Sequence, residues 1–105
     1  MSTNCLNNHN VAINRGGQWA AAGNVRALVN GRSVGDVRDG EGQTAVDIND
    51  AGQWIASGNL KTLVNGVNVG DVLDGDGPVA VDMNDMGDWV AAGNLKVLMN
   101  GKNMG

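Results

Sequence analysis

The feature of this sequence that most constrains its fold is a 35-residue segment that occurs three times. A shift of 35 positions aligns Trp19 with Trp54, and Trp54 with Trp89. Between residues 44–70 and 79–105, 17 of 27 aligned positions are identical, which excludes coincidence. The chain must therefore form one supersecondary unit three times over, and the structure of that unit decides the fold class.

Each unit is predicted to consist of short β-strands separated by tight turns. An Asn-Gly pair recurs once per unit, and this dipeptide is typical of type I′ hairpin turns because both central residues need positive φ. The pairs are Asn30-Gly31, Asn65-Gly66 and Asn100-Gly101. The apolar runs between turns are too short for helices. We predict four strands per unit, at roughly 45–49, 53–57, 60–65 and 67–72 in the second unit.

The borders of the units predict a ring. We expect one domain, residues 1–105, made of three repeats at about 1–35, 36–70 and 71–105. Gly105 aligns with Gly35 and Gly70, so each unit is circularly permuted relative to a complete sheet. The last residue of the chain therefore stands one position before the first in the register of the repeat. This arrangement is typical of closed rings of repeats, in which no sheet edge stays unpaired.

Two all-β closures fit three four-stranded meander repeats. In the first, each repeat is a blade of a β-propeller; propellers typically have four to eight blades, so a homodimer would supply six. In the second, the three repeats close within one chain as a pseudo-threefold β-prism or β-trefoil. Both are closed toroids, and the propeller alternative predicts a homo-oligomer.

Two known families resemble the chain. The run AVDINDAGQ from Ala45 to Gln53, followed by Asn65-Gly66 and a glycine-rich connection, resembles the HAF-type extracellular repeat, which implies propeller-like blades. Here a tryptophan follows the glutamine, and the unit is shorter. A weaker resemblance is to the β-prism mannose-binding lectins, which also have three units in about this many residues. Their Gln-x-Asp-x-Asn-x-Val-x-Tyr sugar site has no match, so that resemblance implies no sugar-binding residues.

Composition and charge exclude several classes of function. A formal net charge of −4 argues against nucleic acid, which requires a basic face. No apolar run approaches the roughly 18 residues of a membrane span, and the N-terminus lacks a signal-peptide pattern. An extracellular and a cytoplasmic location both stay open. The single cysteine and single histidine, Cys5 and His9, form no repeated catalytic or metal-binding set, so we predict no enzyme and no cofactor.

The three tryptophans are the candidate ligand-binding residues. Trp19, Trp54 and Trp89 could stack on the apolar face of a sugar, and one polar neighbour precedes each indole as a hydroxyl partner. These neighbours are Gln18, Gln53 and Asp88. The alternative is that the tryptophans are the bulky core residue of each unit, since the chain has no other aromatic side chain and burying a large apolar side chain contributes about 1.5–3 kcal/mol.

One acidic turn has the composition of a calcium loop. Asp71, Asp74 and Asp76 alternate with other residues on a glycine-rich backbone and would offer oxygen ligands. The spacing does not match an EF-hand, and acidic residues are common in solvated turns. We therefore predict no metal site and keep these three as calcium candidates.

The sequence predicts a multivalent binding module, with carbohydrate as the partner. Equivalent shallow sites, one per repeat, would each bind weakly and gain avidity from their number. The alternative function is a structural or assembly module without a small-molecule ligand, in which the tryptophans are buried.

Overall fold

The computed structural model describes residues 10–23, 26–37, 43–73 and 77–105, and these form three four-stranded antiparallel sheets. The first sheet contains β1 (Val11–Ile13), β2 (Trp19–Ala22), β3 (Ala27–Val29) and β4 (Arg32–Gly35). The second contains β5 (Ala45–Ile48), β6 (Trp54–Ser57), β7 (Thr62–Val64) and β8 (Val67–Gly70). The third contains β9 (Ala80–Met83), β10 (Trp89–Ala92), β11 (Val97–Met99) and β12 (Lys102–Asn103).

Each sheet is a meander in which neighbours in the chain pair in space. The all-β class and the four-stranded meander per repeat are thereby confirmed. The strands are one to three residues shorter than the sequence predicted; the third strand of the second unit is Thr62–Val64 instead of 60–65. Cys5 and His9 lie outside the described residues. In the described ranges there is no helix that would be able to span a membrane.

The Asn-Gly pairs form the predicted turns. Asn65 and Gly66 both have positive φ, at 51° and 89°, and the equivalent pairs at 30–31 and 100–101 have nearly the same values. Positive φ at both central residues is the type I′ geometry, whose twist matches that of the flanking strands. The turn chemistry encoded in the sequence is therefore realised three times.

Alternation along the strands gives every sheet two distinct faces. Cross-strand partners such as Ile48 and Trp54 lie on the same face, which we call the tryptophan face. It carries Val11, Ile13, Trp19, Ala21 and Leu28 in the first sheet, Val46, Ile48, Trp54, Ala56 and Leu63 in the second, and Val81, Met83, Trp89, Ala91 and Leu98 in the third. The opposite face carries Ala12, Ala20, Ala22, Ala27 and Val29, then Asp47, Ile55, Ser57, Thr62 and Val64, then Asp82, Val90, Ala92, Val97 and Met99.

The core consists of two joints between successive sheets. In the first joint, the tryptophan face of the second sheet packs on the alanine-rich opposite face of the first. In the second joint, the tryptophan face of the third sheet packs on the opposite face of the second. The contacts between sheets are made chiefly by the first two strands of each, with β1 and β2 on β5, and β5 and β6 on β9.

The two end sheets each keep one face outside these joints. The second sheet is buried on both sides, and every residue of β5 and β6 is buried. Within the described residues, neither hydrophobic cluster joins the first sheet to the third. The tryptophan face of the first sheet and the opposite face of the third sheet are consequently left with exposed apolar side chains.

We predict that Gly66→Ala lowers the melting temperature, whereas Gly16→Ala leaves it nearly unchanged. Position 66 requires a φ of +89°, and a left-handed backbone costs a residue with a Cβ about 1–2 kcal/mol. Gly16 has no such requirement, and an added Cβ there meets only the Asn14 side chain at an ordinary 3.6 Å. Thermal unfolding followed by circular dichroism measures both variants. Equal melting temperatures would contradict the assigned turn.

Candidate functional site

The structure places the three tryptophans in two different environments. Trp54 and Trp89 are 8% and 7% exposed, because each lies in a joint beneath the opposite face of the preceding sheet. Trp19 belongs to the first sheet, whose tryptophan face is not covered by either of the other described sheets, and its side chain is half-buried. Of the three predicted stacking platforms, only Trp19 is therefore open to a ligand in this chain.

The backbone of each tryptophan is fixed by the asparagine of the following turn. The amide of Trp54 donates to Oδ1 of Asn65 at 2.8 Å, and the amide of Asn65 donates back to the carbonyl of Trp54 at 3.0 Å. The same pair of bonds joins Trp19 to Asn30 and Trp89 to Asn100. Sequence reasoning assigned these asparagines to the turns alone. The signal for their second role is the constant spacing of eleven residues from the tryptophan.

The predicted polar partners of the tryptophans are bound within the protein. Oε1 of Gln53 accepts from Nδ2 of Asn49 at 2.7 Å, and its carboxamide lies against Gly87, where an added Cβ would stand 2.9 Å from it. Gln18 makes the equivalent contacts one sheet earlier: its Oε1 accepts from Nδ2 of Asn14 in its own turn, and its carboxamide lies against Gly52 in the turn of the second sheet. The two glutamines thus connect one sheet's turn to the next.

Asp88 occupies the glutamine position of the third sheet and is exposed. Its carboxylate accepts from the side-chain amides of Asn84 at 3.4 Å and Asn100 at 3.3 Å. Among the described residues, no sheet packs on the third sheet beyond Asp88, and the contact that Gln18 and Gln53 make with a glycine of the next sheet has no counterpart there.

A ladder of asparagine side chains runs across the joints. Nδ2 of Asn14 donates to the carbonyl of Asn49 at 2.8 Å, and Nδ2 of Asn49 donates to the carbonyl of Asn84 at 2.9 Å. A parallel set of bonds is made by the next residue: the amide of Arg15 donates to Asp50, and the amide of Asp50 donates to Asp85. Each bond spans 35 residues, so successive sheets are held in the same register.

Asp47 is a buried carboxylate in the second joint. Its Oδ1 accepts from the amide of Ile48 at 2.9 Å, and its Oδ2 accepts from the amide of Met83 in the next sheet at 2.9 Å. Burial raises the pKa of Asp47 above its ordinary value of 3.8, and the nearby carboxylate of Asp82 raises it further, against the opposing effect of the two amides. The group thus stabilises the joint best when it is protonated.

The outer faces of the end sheets are the apolar surfaces of interest. We call the tryptophan face of the first sheet the head face; there, Val11 and Ile13 are 52% and 57% exposed beside Trp19. We call the opposite face of the third sheet the tail face; there, Val90 and Met99 are 38% and 45% exposed. Exposed apolar residues clustered on a sheet face are typical of an interaction surface.

Two open clefts lie on the third sheet, at the tail face. One of about 180 Å³ is lined by Asp82, Met83, Asn84, Asp88, Trp89, Val90 and Met99. Another of about 290 Å³ is mostly apolar and is lined by Pro78, Val79, Ala80, Ala92, Gly93 and Asn94. In the second sheet, which has a neighbouring sheet on both sides, the positions equivalent to these lining residues are largely buried.

The calcium candidates are only partly described. Asp71 is exposed, whereas Asp74 and Asp76 lie outside the described residues. Within the described ranges, no three His, Cys, Asp or Glu side chains come together as a metal site.

Comparison with known proteins identifies no relative. No protein-family model matches the chain, and no curated protein or solved structure matches it significantly. The resemblances to HAF-type repeats and to β-prism lectins therefore stay predictions.

We predict that the stability of the wild type relative to Asp47→Ala declines as pH rises. A carboxyl group whose folded pKa is raised contributes stability that is fully present below its unfolded pKa and is lost as pH rises through the folded pKa. Urea unfolding of both proteins between pH 3 and pH 7 measures the difference in free energy. This difference is expected to favour the wild type most near pH 3. A difference that grows toward pH 7 would contradict the raised pKa.

Proposed function

We propose that the chain is a self-assembling structural module whose head face binds the tail face of a second copy. One observation carries this proposal: the same two kinds of face already pack together twice within the chain. A tryptophan face covers an opposite face at both internal joints, and the two faces left over are one of each kind. A third joint between copies would bury the remaining pair in the way the chain buries the first two.

The residues of the two outer faces support this pairing. The head face presents Val11, Ile13 and Trp19 where the covered faces present Val46, Ile48 and Trp54. The tail face presents Val90 and Met99 where the covered face of the second sheet presents Ile55 and Val64. Both sets of side chains match their counterparts in the internal joints in polarity and nearly in size. The head face of one copy could therefore pack on the tail face of another as the sheets within the chain pack on each other.

The charges at the turns also favour this order of contact. Arg15 extends from the first sheet with a side chain that is 88% exposed, and its Nε lies 3.4 Å from Asp50 in the following sheet. The corresponding residue of the third sheet is Asp85, which would precede Arg15 of the next copy. Arg15 would then stand between two carboxylates, and such electrostatic complementarity guides orientation more than it adds affinity.

Repetition of one joint leads either to a closed ring or to an open filament. Each copy adds three sheets, and six is the multiple of three that falls among the four to eight blades of known propellers. The concentration of contacts between sheets in the first two strands supports a radial arrangement, in which the sheets separate toward their outer strands. We therefore propose a six-bladed β-propeller formed by a homodimer.

We predict a solution mass of twice the 10.8 kDa chain, reduced to the single chain by Ile13→Glu or Val90→Glu. Each substitution removes the burial of one aliphatic side chain, about 1.5–3 kcal/mol, and places a charge in the joint. The dissociation constant should rise at least about tenfold per variant. Light scattering over a dilution series measures both mass and affinity.

Val67→Glu is the matched control for this experiment. Val67 is 63% exposed on the middle sheet and belongs to neither outer face, so it undergoes the same change of size and charge without altering the joint. Its variant should remain dimeric. A wild-type protein that is monomeric at every concentration would refute the proposed assembly. A mass that keeps growing with concentration beyond that of the dimer would refute the closed ring and indicate an open filament.

Carbohydrate binding is the second candidate function, and the half-buried indole of Trp19 is the observation that favours it. The two functions compete for this residue, because the proposed joint covers it. We predict that a bound sugar would shift or quench the fluorescence of the wild type but not that of Trp19→Leu. Titration with a panel of monosaccharides and oligosaccharides measures this; an unchanged spectrum with all of them would refute carbohydrate binding at Trp19.

A further inference from the structure

We infer that Asp82 is the residue that fixes the register of the joint between copies, by accepting a hydrogen bond from the backbone amide of Ile13 in a second copy of this chain. The inference rests on the proposed head-to-tail assembly and assigns it a specific polar contact. The carboxylate of Asp82 is exposed on the tail face. Its Oδ1 shares the amide of Met83 with Oδ2 of Asp47 at the second joint, and among the described residues no hydrogen bond is made to its Oδ2.

The model for this contact is the bond between Asp47 and Met83. The two residues are 36 positions apart, and Oδ2 of Asp47 accepts from the amide of Met83 at 2.9 Å across the second joint. A shift of one 35-residue repeat moves Asp47 to Asp82. The same shift moves Met83 past the end of the third repeat, to Ile13 in the first repeat of the next copy. The geometry that repeats within the chain thus predicts the pair between chains.

Asp82 already has the side-chain arrangement that this bond requires. Oδ1 of Asp47 is bound to the amide of the next residue in its own strand, Ile48, which leaves Oδ2 for the following sheet. Oδ1 of Asp82 is likewise bound to the amide of Met83, at 3.0 Å. A carboxylate held in this way loses little conformational entropy when its second oxygen binds a partner.

Ile13 supplies the matching donor. In the second and third sheets, the amide at this position is bound by the aspartate that precedes it, as Ile48 is by Asp47. In the first sheet the preceding residue is Ala12, so no carboxylate from the same strand can accept from Ile13. The head face thus presents a backbone donor where the tail face presents a charged acceptor.

The asparagine ladder would continue through the same joint. Asn14 and Asn49 each donate from Nδ2 to their own glutamine and to the next sheet's carbonyl. Among the described residues, Asn84 donates only to Asp88, so its second proton is available for the carbonyl of Asn14 in the next copy. This bond and the Asp82 contact would reach adjacent residues of the next copy, Asn14 and Ile13, so both require the same register between the two copies.

The experiment compares the dimerisation of the wild type, Asp82→Ala and Asp71→Ala by light scattering or sedimentation. Asp82→Ala reproduces the residue found at the equivalent position of the first sheet, Ala12, whereas Asp71→Ala makes the same change at an exposed position between β8 and β9, outside the strands of the third sheet. A hydrogen bond to a charged group accounts for about ten- to hundredfold in affinity. We expect Asp82→Ala to weaken dimerisation by that factor, and Asp71→Ala to leave it within about twofold.

A double-mutant cycle with Ile13→Pro identifies the partner. Proline removes the amide proton and is tolerated on an edge strand where that amide is outside the ladder. In the Asp82→Ala background, Ile13→Pro should weaken dimerisation at least about tenfold less than it does in the wild type. If the two changes are additive, or if Asp82→Ala behaves like Asp71→Ala, the Asp82 contact is refuted while the assembly stands. A wild type that never dimerises refutes both.

Discussion

The structure depends on the packing of a tryptophan face against the opposite face of the preceding sheet. Sheets whose strands have two to four residues cannot bury enough apolar surface alone, and a four-stranded unit of this size needs a neighbour on at least one side. Trp54 and Trp89 are the largest side chains in the two joints, and in the first joint the alanines of the first sheet allow the sheets to approach closely. Because each joint forms between successive sheets, the three described sheets make two joints, and the tryptophan face of the first and the opposite face of the third belong to neither.

Polar contacts then give this packing its register. Every buried side-chain nitrogen or oxygen in the described part of the chain has a partner, including the hydroxyl pair of Ser57 and Thr62 at 2.7 Å inside the second joint. Hydrophobic faces alone would allow two sheets to slide, whereas bonds that span one repeat allow a single alignment. The amide ladder and Asp47 therefore contribute specificity as well as stability.

The repeat and the Asn-Gly pairs were sufficient to predict the fold class, since turn conformation depends on local residues. The environment of the candidate site could not be predicted in the same way. Trp19 and Trp54 have nearly the same sequence neighbours, and their exposure differs because the first sheet covers Trp54, whereas no described sheet covers Trp19. Gln53 likewise has the sequence position of a residue that could bind a sugar hydroxyl, but its carboxamide is bound to Asn49 and lies against Gly87 in the turn of the third sheet. Local sequence reports which face a residue occupies, while the order of the sheets decides whether that face is covered.

The two internal joints differ in the residues that the earlier sheet contributes. The first sheet offers Ala12 and Ala20 where the second offers Asp47 and Ile55, so the first joint contains fewer carbon atoms and no carboxylate bridge. Cooperativity along the chain should therefore be graded, because a repeat array is held together by its nearest-neighbour contacts. The amides of β1 to β4 would exchange their hydrogens first, because the first sheet would separate from the second while the second and third sheets stay packed together.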